Sequence, residues 1–440
     1  MRRPSLSPQK GMSKLSLAHW LQRLEQLHPV EVELGLQRCG EVAMRLDLLP
    51  LPCPVLTVAG TNGKGSTVAV AQAVAQASGR LTGQFTSPHF LRFNERIQVG
   101  GREADDSEIV AAFEQIDAAR DGTSLTYFEF ATLAALLIFR QRSVELAILE
   151  VGLGGRLDAV NIVDPSVAVI TRIDLDHQDW LGDDLDSIGR EKAGILRAGI
   201  PAVIADPIPP AGLLQAVTDS GAEPFYLGEH FGFDEVAGGL TIKLQQRGGE
   251  QQSLLLAQPL SVLPVNACAA LQALLLLDVD LAALDIAGVV ASVRPTGRQQ
   301  SLVVGGQQLV LDVAHNPGAV DKMIEYMAAT NCNKRTIAIF SAMKDKDIHG
   351  MISRSLASFD AWFLADQPDQ PRAAAAADIA AALHEQGCSM ISVSKNLRQA
   401  YRRARSLLEE GDRLVVFGSF HTVAAILPLV DKDLRKEQRG

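Results

Sequence analysis

The stretch that decides the fold is Val55-Leu56-Thr57-Val58-Ala59-Gly60-Thr61-Asn62-Gly63-Lys64-Gly65-Ser66-Thr67. Its first five residues predict a buried strand, and the residues from Thr67 onward predict a helix. The glycines between them let backbone N–H groups approach an anion, and the helix N-terminus adds unpaired N–H groups and a positive dipole end. Lys64 offers a point charge for phosphate, and the Ser66 hydroxyl is a ligand for phosphate-bound magnesium. The stretch therefore predicts a nucleotide-binding loop.

The alternative for this stretch is a glycine-rich turn with an exposed lysine. Strand, loop and helix follow one another in the order that a phosphate-binding loop requires, which favours the nucleotide site. The spacing is unusual, because Gly65 separates Lys64 from the hydroxyl of Ser66. The common pattern has the hydroxyl directly after the lysine. The sequence therefore indicates a particular subtype of nucleotide loop.

Length and charge narrow the class of protein. The chain has 440 residues, too many for one ordinary core, so two domains are expected. Hydrophobic residues make up 47% and charged residues 21%, as in a globular enzyme. The net charge of −10 argues against bulk binding to nucleic acid or to anionic membranes. An anionic substrate would need local basic residues, for which Lys64, Arg96, Arg156 and Arg298 are candidates.

The cysteines and the chain start indicate the compartment. The five cysteines are scattered and show no metal-ligand spacing, which favours a reduced, cytoplasmic protein. Residues 1–10 lack the apolar segment of a signal peptide, and the longest apolar runs are too short to span a bilayer. Residues 1–12 are expected to form a disordered extension, and Met12 is an equally good start of the ordered chain. We expect a monomer without nucleic-acid or membrane partners.

Strands alternating with helices predict a mostly parallel sheet in the first half of the chain. The predicted elements are helices at 17–27, 35–48, 67–78 and 132–140 and strands at 55–59, 146–150 and 167–171. Ligands of such sheets gather at the carboxyl ends of the strands. Four polar clusters, around Lys64, Ser87, Glu150 and His177, fall at such ends.

The second half restarts the alternation after a boundary. A Gly- and Gln-rich stretch at 227–256 predicts a small β-excursion, and a very apolar helix follows at 267–277. Arg294-Pro295-Thr296-Gly297-Arg298 marks the boundary, and the strand at 309–313 is predicted to open the second domain. The last helix is predicted to run from Thr422 to near Pro428. We therefore predict an α/β P-loop ATPase domain at 13–296 and a Rossmann-like α/β domain at 297–440.

Taken singly, the polar residues outside the loop can each be explained by an ordinary structural or surface position. Glu150 ends an apolar strand, where nucleotide enzymes place a metal-binding acid, but a solvated strand-end carboxylate is the alternative. His177 is equally well a structural or surface histidine, and Lys192 reads as an ordinary helix lysine. Asp312 and His315 end a predicted strand and offer a carboxylate and an imidazole to the first domain.

Together, these residues resemble the Mur ligase superfamily and, within it, the folylpolyglutamate synthase/dihydrofolate synthase family. The matching stretches run in family order along nearly the whole chain. They are residues 60–66, Thr86-Ser87-Pro88-His89, Asn94-Glu95-Arg96-Ile97, Leu125-Thr126-Tyr127-Phe128-Glu129-Phe130, residues 149–158, Leu175-Asp176-His177, residues 190–195, Asn266, Pro295-Thr296-Gly297-Arg298, Asp312-Val313-Ala314-His315-Asn316-Pro317, residues 344–348 and Gly418-Ser419-Phe420-His421-Thr422.

The resemblance implies three groups of site residues. The ATP group is Thr61, Asn62, Gly63, Lys64, Gly65, Ser66, Asn266, Arg298 and Asp312. The ligands of Mg²⁺, at two sites, are Ser66, Ser87, Glu150, His177 and Lys192, the last as a carbamate formed with CO₂. The pterin or folate group is Gly35, Leu36, Arg96, Thr126, Tyr127, Phe128, Glu129, Arg156, Leu157 and Asp158.

The resemblance also implies an ATP-dependent amide ligase that adds L-glutamate to dihydropteroate and to folates through an acyl phosphate. The implied catalytic residues are Lys64, Lys192, Asp312 and His315, with His315 as a candidate general base. The alternatives are a monofunctional folylpolyglutamate synthase, a Mur-type ligase for a cell-wall precursor, and a P-loop nucleotide switch. Lys344, where histidine was expected, and the extra residue in Pro295-Thr296-Gly297-Arg298 are minor departures that remove no implied ligand.

Overall fold

The computed structural model describes residues 15–28, 30, 32–257, 260–330, 332 and 334–437. The extension predicted at residues 1–12 lies outside the described residues.

The helices of the described part are α1 Leu17–Leu27, α2 Gln37–Arg45, α3 Lys64–Ala77, α4 Asp106–Ala119, α5 Tyr127–Gln141, α6 Gln178–Leu181, α7 Leu185–Ala193, α8 Ala211–Ser220, α9 Pro264–Leu276, α10 Ile286–Ser292, α11 Pro317–Ala329, α12 Ile348–Ser355, α13 Ala376–Glu385, α14 Leu397–Leu407 and α15 Phe420–Glu437. The strands are β1 Val55–Ala59, β2 Thr82–Phe85, β3 Ile97–Val99, β4 Arg102–Glu103, β5 Leu146–Glu150, β6 Val167–Ile170, β7 Pro201–Ile204, β8 Glu223–Tyr226, β9 Gly232–Val236, β10 Gly239–Gln245, β11 Gln251–Ala257, β12 Gln300–Val304, β13 Gln307–Leu311, β14 Thr336–Phe340, β15 Ala361–Ala365, β16 Ile391–Ser394 and β17 Arg413–Phe417.

The N-terminal domain is built on an eight-stranded sheet in the order β4-β3-β2-β5-β1-β6-β7-β8. Strands β2, β5, β1, β6, β7 and β8 are parallel, and β3 and β4 add an antiparallel edge. Strands β9 to β11 form the predicted β-excursion as a separate antiparallel sheet. The sheet order places β1, and hence the glycine loop, near the centre.

The C-terminal domain is a six-stranded sheet in the order β12-β13-β17-β14-β15-β16, parallel except for β12. The predicted fold class, a parallel-sheet ATPase domain with a small β-excursion and a second α/β domain, is confirmed. The prediction missed β12, the antiparallel strand that precedes the one expected to open this domain.

Both faces of the N-terminal sheet are covered, which explains the unbroken apolar strands. All five residues of β1 are buried. Val55 and Ala59 pack into the core on one face, whereas Leu56 and Val58 pack into the other core together with residues of α3 and α9. A strand buried on both faces leaves only its carboxyl end for polar chemistry.

Two predicted helix starts were wrong. Helix α3 begins at Lys64, three residues before the predicted start at Thr67, because Gly63 with φ of 100° serves as its N-cap. Helix α5 begins at Tyr127, not at residue 132, because Thr126 and Glu129 form a capping box.

The predicted end of the last helix was also wrong. Helix α15 continues through Pro428 to Glu437, although proline removes a helical hydrogen bond at a cost of about 3 kcal/mol. Val423, Ile426, Leu427 and Val430 lie on one buried stripe of this helix. Their packing outweighs the missing bond.

Among the helices of the described residues, none combines the length and hydropathy needed to cross a bilayer.

Candidate functional site

One cavity of about 220 Å³ lies where the carboxyl ends of the two sheets face each other. Its wall includes residues 60–66 of the glycine loop, the predicted metal group and ten residues of the second domain. All the predicted ATP, metal and catalytic residues line this cavity: Thr61, Asn62, Gly63, Lys64, Gly65, Ser66, Ser87, Glu150, His177, Lys192, Asn266, Arg298, Asp312 and His315. Sequence positions more than 250 residues apart therefore share one cavity.

The glycine loop is held in place by the segment that follows β6. The Thr61 N–H donates to the Arg172 carbonyl at 2.8 Å, and the Thr61 hydroxyl donates to the Asp174 carbonyl at 3.1 Å. Gly60 has a φ of 143°, and a Cβ atom there would lie 1.8 Å from the Thr171 hydroxyl oxygen. The first helical N–H bond of α3 is from Thr67 to the Gly63 carbonyl, so the N–H groups of its first turn carry no helical bond. This geometry suits an anion such as phosphate.

Two lysines, of which Lys192 is buried and Lys64 is half-buried, meet at the carbonyl of Gly60. Lys64 Nζ donates to it at 2.9 Å, and Lys192 Nζ, from α7, donates to it at 3.0 Å. Burial, together with the neighbouring Lys64 charge, lowers the pKa of Lys192 to about 7. Burial also lowers the pKa of Lys64, against the opposing influence of Glu150. At neutral pH, Lys192 is therefore an amine with a large neutral fraction, unlike an ordinary surface lysine.

Oxygen atoms of three predicted metal ligands line the same wall. Glu150 ends β5 and is buried, and its Oε2 accepts the Ser87 N–H at 3.2 Å. Burial raises the pKa of Glu150, while Arg298 and Lys64 oppose that shift. The hydroxyls of Ser66 and Ser87 belong to the wall. Carboxylate and hydroxyl oxygens are the donors that magnesium prefers.

His177 is the nitrogen donor of the predicted metal group. It precedes α6 in a left-handed conformation with φ of 53°, and its side chain is 38% exposed. Burial lowers the pKa of His177 to about 4, so the ring is neutral and its nitrogens can ligate a metal at neutral pH. Among the described residues, no three His, Cys, Asp or Glu side chains are grouped to hold a metal by themselves.

The second domain brings a guanidinium and a carboxylate to the cavity. A Cβ atom at Gly65 would lie 2.3 Å from Arg298 Nη2, so the guanidinium rests against the first turn of α3. Asp312 is buried and accepts the N–H groups of Gln299 at 3.0 Å and Ala314 at 2.8 Å. Burial raises the pKa of Asp312 to about 6. The Arg298 cation therefore lies at the N-terminus of α3, and the Asp312 carboxylate is held in place by two N–H donors. Asn266 approaches from α9, with its Oδ1 2.5 Å from a Cβ built at Gly63.

No role was predicted for Asp176 from the sequence, although it belongs to one of the matching stretches. Its carboxylate lies between the domains and receives His315 Nε2 at 3.1 Å and Lys346 Nζ, both from the C-terminal domain. Across the domain interface, the side-chain amides of Asn62 and Asn316 also donate hydrogen bonds to each other's Oδ1, each at 3.1 Å. Asn316 also caps α11, since its Oδ1 accepts the Ala319 N–H at 2.9 Å. Only the position of Asp176 after a strand hinted at this role.

The two ring nitrogens of His315 both face oxygen acceptors. Nδ1 lies 2.7 Å from the Val313 carbonyl, and Nε2 contacts Asp176. Two acceptors are satisfied together when both nitrogens carry protons. In this arrangement, His315 is a hydrogen-bond donor that joins the domains.

The ten predicted substrate residues lie outside the cavity wall, on the adjoining side of the N-terminal domain. The Phe128 ring lies 2.6 Å from a Cβ built at Gly152, which is a wall residue. The Gly35 N–H donates to the Leu157 carbonyl at 3.1 Å, and Leu36 is the N-cap of α2. These contacts tie the predicted substrate group to the cavity through residues 152–158.

Arg96 is the buried cation of this group. Its guanidinium lies 5.5 Å from the Tyr127 ring and 5.8 Å from the Phe93 ring, and its Nε donates to His89 Nδ1 at 2.8 Å. Burial lowers the pKa of Arg96, against the opposing influence of Tyr127. A desolvated cation between aromatic rings suits an anionic aromatic ligand.

Asp158 and Arg156 have local partners. Asp158 accepts the N–H groups of Leu153 at 2.8 Å and Val160 at 2.9 Å, and burial raises its pKa to about 6. Arg156 pairs with Glu191 at 2.8 Å and is half exposed. Asp158 therefore shapes the loop between β5 and the predicted substrate residues.

Thr126 and Glu129 also have a structural role. The Thr126 hydroxyl accepts the Glu129 N–H at 3.2 Å, and the Glu129 carboxylate accepts the Thr126 N–H at 2.7 Å. Glu129 also receives Arg38 Nη2 at 3.2 Å. The capping box fixes where α5 starts and hence where Tyr127 and Phe128 point.

Replacing Thr126 by alanine should lower the free energy of unfolding by about 1 kcal/mol, because the N-cap acceptor is lost. Urea unfolding of Thr126→Ala against wild type measures this change. Thr126→Ser keeps the acceptor and serves as the control, with near wild-type stability. Equal stability of the alanine and serine variants would contradict the capping role.

Together, fold and cavity define a class. A glycine loop on a parallel sheet receives a guanidinium and a carboxylate from a second α/β domain, which is the arrangement of an ATP-dependent ligase of the Mur type. Residues 58–205 match the Mur ligase middle domain, and residues 297–420 match the Mur ligase glutamate ligase domain.

Similar proteins narrow the class to one family. The chain is 40% identical to the dihydrofolate synthase/folylpolyglutamate synthase of Escherichia coli K12, over 94% of this chain and 96% of that protein. The structure of E. coli FolC in complex with DHPP and ADP matches with a TM-score of 0.89 at 38% identity, covering 96% and 99% of the two chains. A bifunctional enzyme solved with Mn, AMPPNP and L-glutamate matches with a TM-score of 0.87 at 38% identity, covering 96% and 100%. The chain belongs to the dihydrofolate synthase/folylpolyglutamate synthase family and is an ATP-dependent ligase.

Proposed function

We propose that this enzyme adds L-glutamate to dihydropteroate, giving dihydrofolate, and to folates and folylpolyglutamates, with release of ADP and phosphate. The observation that carries the proposal is the single cavity in which Arg298 and Asp312 of the second domain meet the glycine loop of the first. A cavity at the interface of two domains suits a reaction that joins two substrates. The 40% identity to the E. coli dihydrofolate synthase/folylpolyglutamate synthase, over 94% of this chain, supports the substrate class.

ATP is the nucleotide that this cavity would hold. The first-turn N–H groups of α3, with Thr61, Asn62 and Gly63, offer donors to its phosphates, and Lys64 and Arg298 supply two cations. Asn266 and Asp312 lie on the same wall and are the proposed contacts to the rest of the nucleotide. ADP and AMPPNP in the solved relatives support this placement.

Magnesium fits the donor set of this wall. Ser66, Ser87, Glu150 and His177 are the proposed ligands at two sites, since they offer hydroxyl, carboxylate and neutral imidazole donors at one wall. When bound, the metal would neutralise phosphate charge. The manganese in a solved relative supports a divalent ion.

Lys192 is proposed to carry a carbamate. Its neutral amine would attack the carbon of CO₂ and release one proton, leaving an anionic group at the buried end of α7. The burial that lowers the pKa of Lys192 to about 7 supplies the neutral amine. The carbamate would turn a cation that repels metal into an oxygen ligand.

The proposed reaction proceeds in two steps. A carboxylate oxygen of dihydropteroate or folate attacks the γ-phosphorus of ATP, the bond to ADP breaks, and an acyl phosphate forms. The α-amine of glutamate then attacks the acyl carbon, and phosphate leaves from a tetrahedral intermediate. Lys64 and Arg298 would stabilise the charge on the transferring phosphoryl group, and domain closure would exclude water from the acyl phosphate.

His315 is the proposed acceptor of the proton that the glutamate ammonium loses. It can accept a proton only when its ring is neutral and Nε2 leaves Asp176. Arg96, Tyr127 and Phe128 are proposed to hold the pterin substrate, on the strength of the buried cation between aromatic rings. Gly35, Leu36, Thr126, Glu129, Arg156, Leu157 and Asp158 would shape that subsite.

We further propose a domain boundary between residues 296 and 297, a monomeric state and a cytoplasmic location. The family match that starts at residue 297 supports the boundary. A nucleotide switch would not require Arg298 and Asp312 of a second domain on the cavity wall. A monofunctional folylpolyglutamate synthase would act only on the folate substrates.

Parallel assays test this proposal. Purified enzyme with ATP, magnesium and L-glutamate is given dihydropteroate in one reaction and a reduced folate in the other, and products are separated by chromatography. Glutamylated product is expected from both. Product from the folate alone would leave the monofunctional alternative, and product from neither would refute the ligase assignment.

A further inference from the structure

A buried ion pair joins the carboxyl edges of the two sheets. Lys346 lies in the turn between β14 and α12, and Asp176 follows β6, 170 residues earlier. Lys346 Nζ contacts Asp176 Oδ1, and the two side chains are only 8% and 6% exposed. Charged side chains are seldom buried this far unless they are paired.

The partners of Lys346 inside its own domain are weaker. Asp345 Oδ2 lies 3.7 Å from Lys346 Nζ and is shared with Arg372, 3.2 Å away on the other carboxylate oxygen. Asp345 is also 29% exposed, so it attracts the ammonium less strongly than a buried carboxylate does. The domain-crossing contact is therefore the main one for Lys346.

The same carboxylate receives the C-terminal domain at two further points. His315 Nε2 lies 3.1 Å from Asp176 Oδ2, and Asn316 Nδ2 lies 3.5 Å from it. Both residues directly follow β13, together with Asp312. The contacts of Asp176 with the C-terminal domain therefore also determine where Asp312 lies relative to the glycine loop.

The pair would differ in energy between a closed and an open arrangement of the domains. With the domains together, Lys346 and Asp176 are desolvated and interact at low dielectric. If the domains separated, each side chain would return to water, and the other contacts on Asp176 would break with the pair. Removing Lys346 would leave the Asp176 charge buried with one partner fewer in the closed form, so its loss would shift the equilibrium away from closure.

We propose that Lys346 is a positioning residue, whose contact with Asp176 holds the domains closed. In that arrangement Arg298 lies against the glycine loop and Asp312 lines the same cavity. This inference rests on the proposed ligase function for its kinetic effect. Its structural effect is independent of the substrates.

Two readouts test the proposal on the full chain. Lys346→Met removes the charge and keeps most of the side-chain volume, while Lys346→Arg keeps the charge. With saturating AMPPNP and magnesium, solution X-ray scattering should give Lys346→Met a larger radius of gyration than wild type or Lys346→Arg. In the ligase assay, kcat of Lys346→Met should fall by about 30-fold or more, with Lys346→Arg within about 5-fold of wild type.

The matched control is Lys344→Met in the same turn. Lys344 Nζ donates to the Pro371 carbonyl at 3.0 Å within the C-terminal domain, so wild-type scattering and kcat are expected. Unchanged scattering of Lys346→Met overturns the proposal, whatever its kcat, and so does equal loss in the control. If wild type makes no glutamylated product, the ligase assignment fails, whereas the scattering comparison still decides the role of Lys346.

Discussion

Lys192→Ala should lower kcat by about 10²–10³-fold, the effect of removing one preorganised electrostatic group. The amine is buried beside Lys64, and burial lowers its pKa to about 7, so it carries a large neutral fraction that can react with CO₂. Without the lysine, the predicted anionic ligand is lost. Formate or acetate fits the space left by the side chain and supplies a carboxylate, so millimolar amounts should restore part of the activity.

The pH dependence separates this explanation from a simple packing defect. Lys192 has a lowered folded-state pKa, so its reactive neutral form is present above about pH 7 and is lost as pH falls below it. Wild-type activity at fixed dissolved CO₂ should therefore fall through that range, more steeply than that of acetate-rescued Lys192→Ala. Arg190→Ala, an exposed change on the same helix, is the control and should remain active without added carboxylate. Full activity of Lys192→Ala without added carboxylates would refute the carbamate role.

Gly65→Ala should lower kcat/KM by about 10²-fold, as expected for a misplacement of about 1 Å in a catalytic group. Its Cβ would lie 2.3 Å from Arg298 Nη2 and 2.6 Å from Cζ, so the guanidinium must move away from the loop. The far end of an arginine side chain moves at little cost, and alanine suits the first turn of a helix. Stability should therefore stay within about 1 kcal/mol of wild type while activity falls.

The matched control is Gly40→Ala in α2, where a Cβ would meet nothing within 4 Å. This change should stabilise the fold by about 0.4–1 kcal/mol and leave the kinetics unchanged. Steady-state kinetics and thermal unfolding on both variants make the comparison. Wild-type kcat/KM for Gly65→Ala would show that Arg298 does not act beside the loop.

The fold was predictable where short-range patterns carry it. The strand, the glycines and the lysine of residues 55–67 are contiguous, and the alternation of strands and helices identified both sheets. The start of α5 was also encoded locally, because Thr126 and Glu129 have capping-box spacing, but this pair was attributed only to substrate binding. The continuation of α15 through Pro428 was not encoded locally, since it depends on a buried stripe packing against distant strands.

The candidate site also combines features that local sequence encodes with features that depend on distant parts of the chain. Residues at the ends of strands β1, β5 and β6 were identified because parallel strands share one carboxyl edge. The contact between Asp176 and Lys346 spans 170 residues and depends on how the two domains meet, for which the sequence has no periodic signal. Lys192 was an ordinary helix residue by pattern, and only its burial beside Lys64 shows a perturbed amine.

The most direct test of the central claim, that the ligase reaction proceeds through an acyl phosphate, follows one oxygen atom of the substrate carboxylate. Dihydropteroate labelled with ¹⁸O in its carboxylate is incubated with enzyme, ATP, magnesium and L-glutamate, and the released phosphate is analysed by mass spectrometry. An acyl phosphate route transfers one carboxylate oxygen to phosphate, so label should appear there in proportion to the dihydrofolate formed. Unlabelled phosphate accompanied by dihydrofolate would contradict the acyl phosphate, and phosphate released without dihydrofolate would contradict the ligase itself.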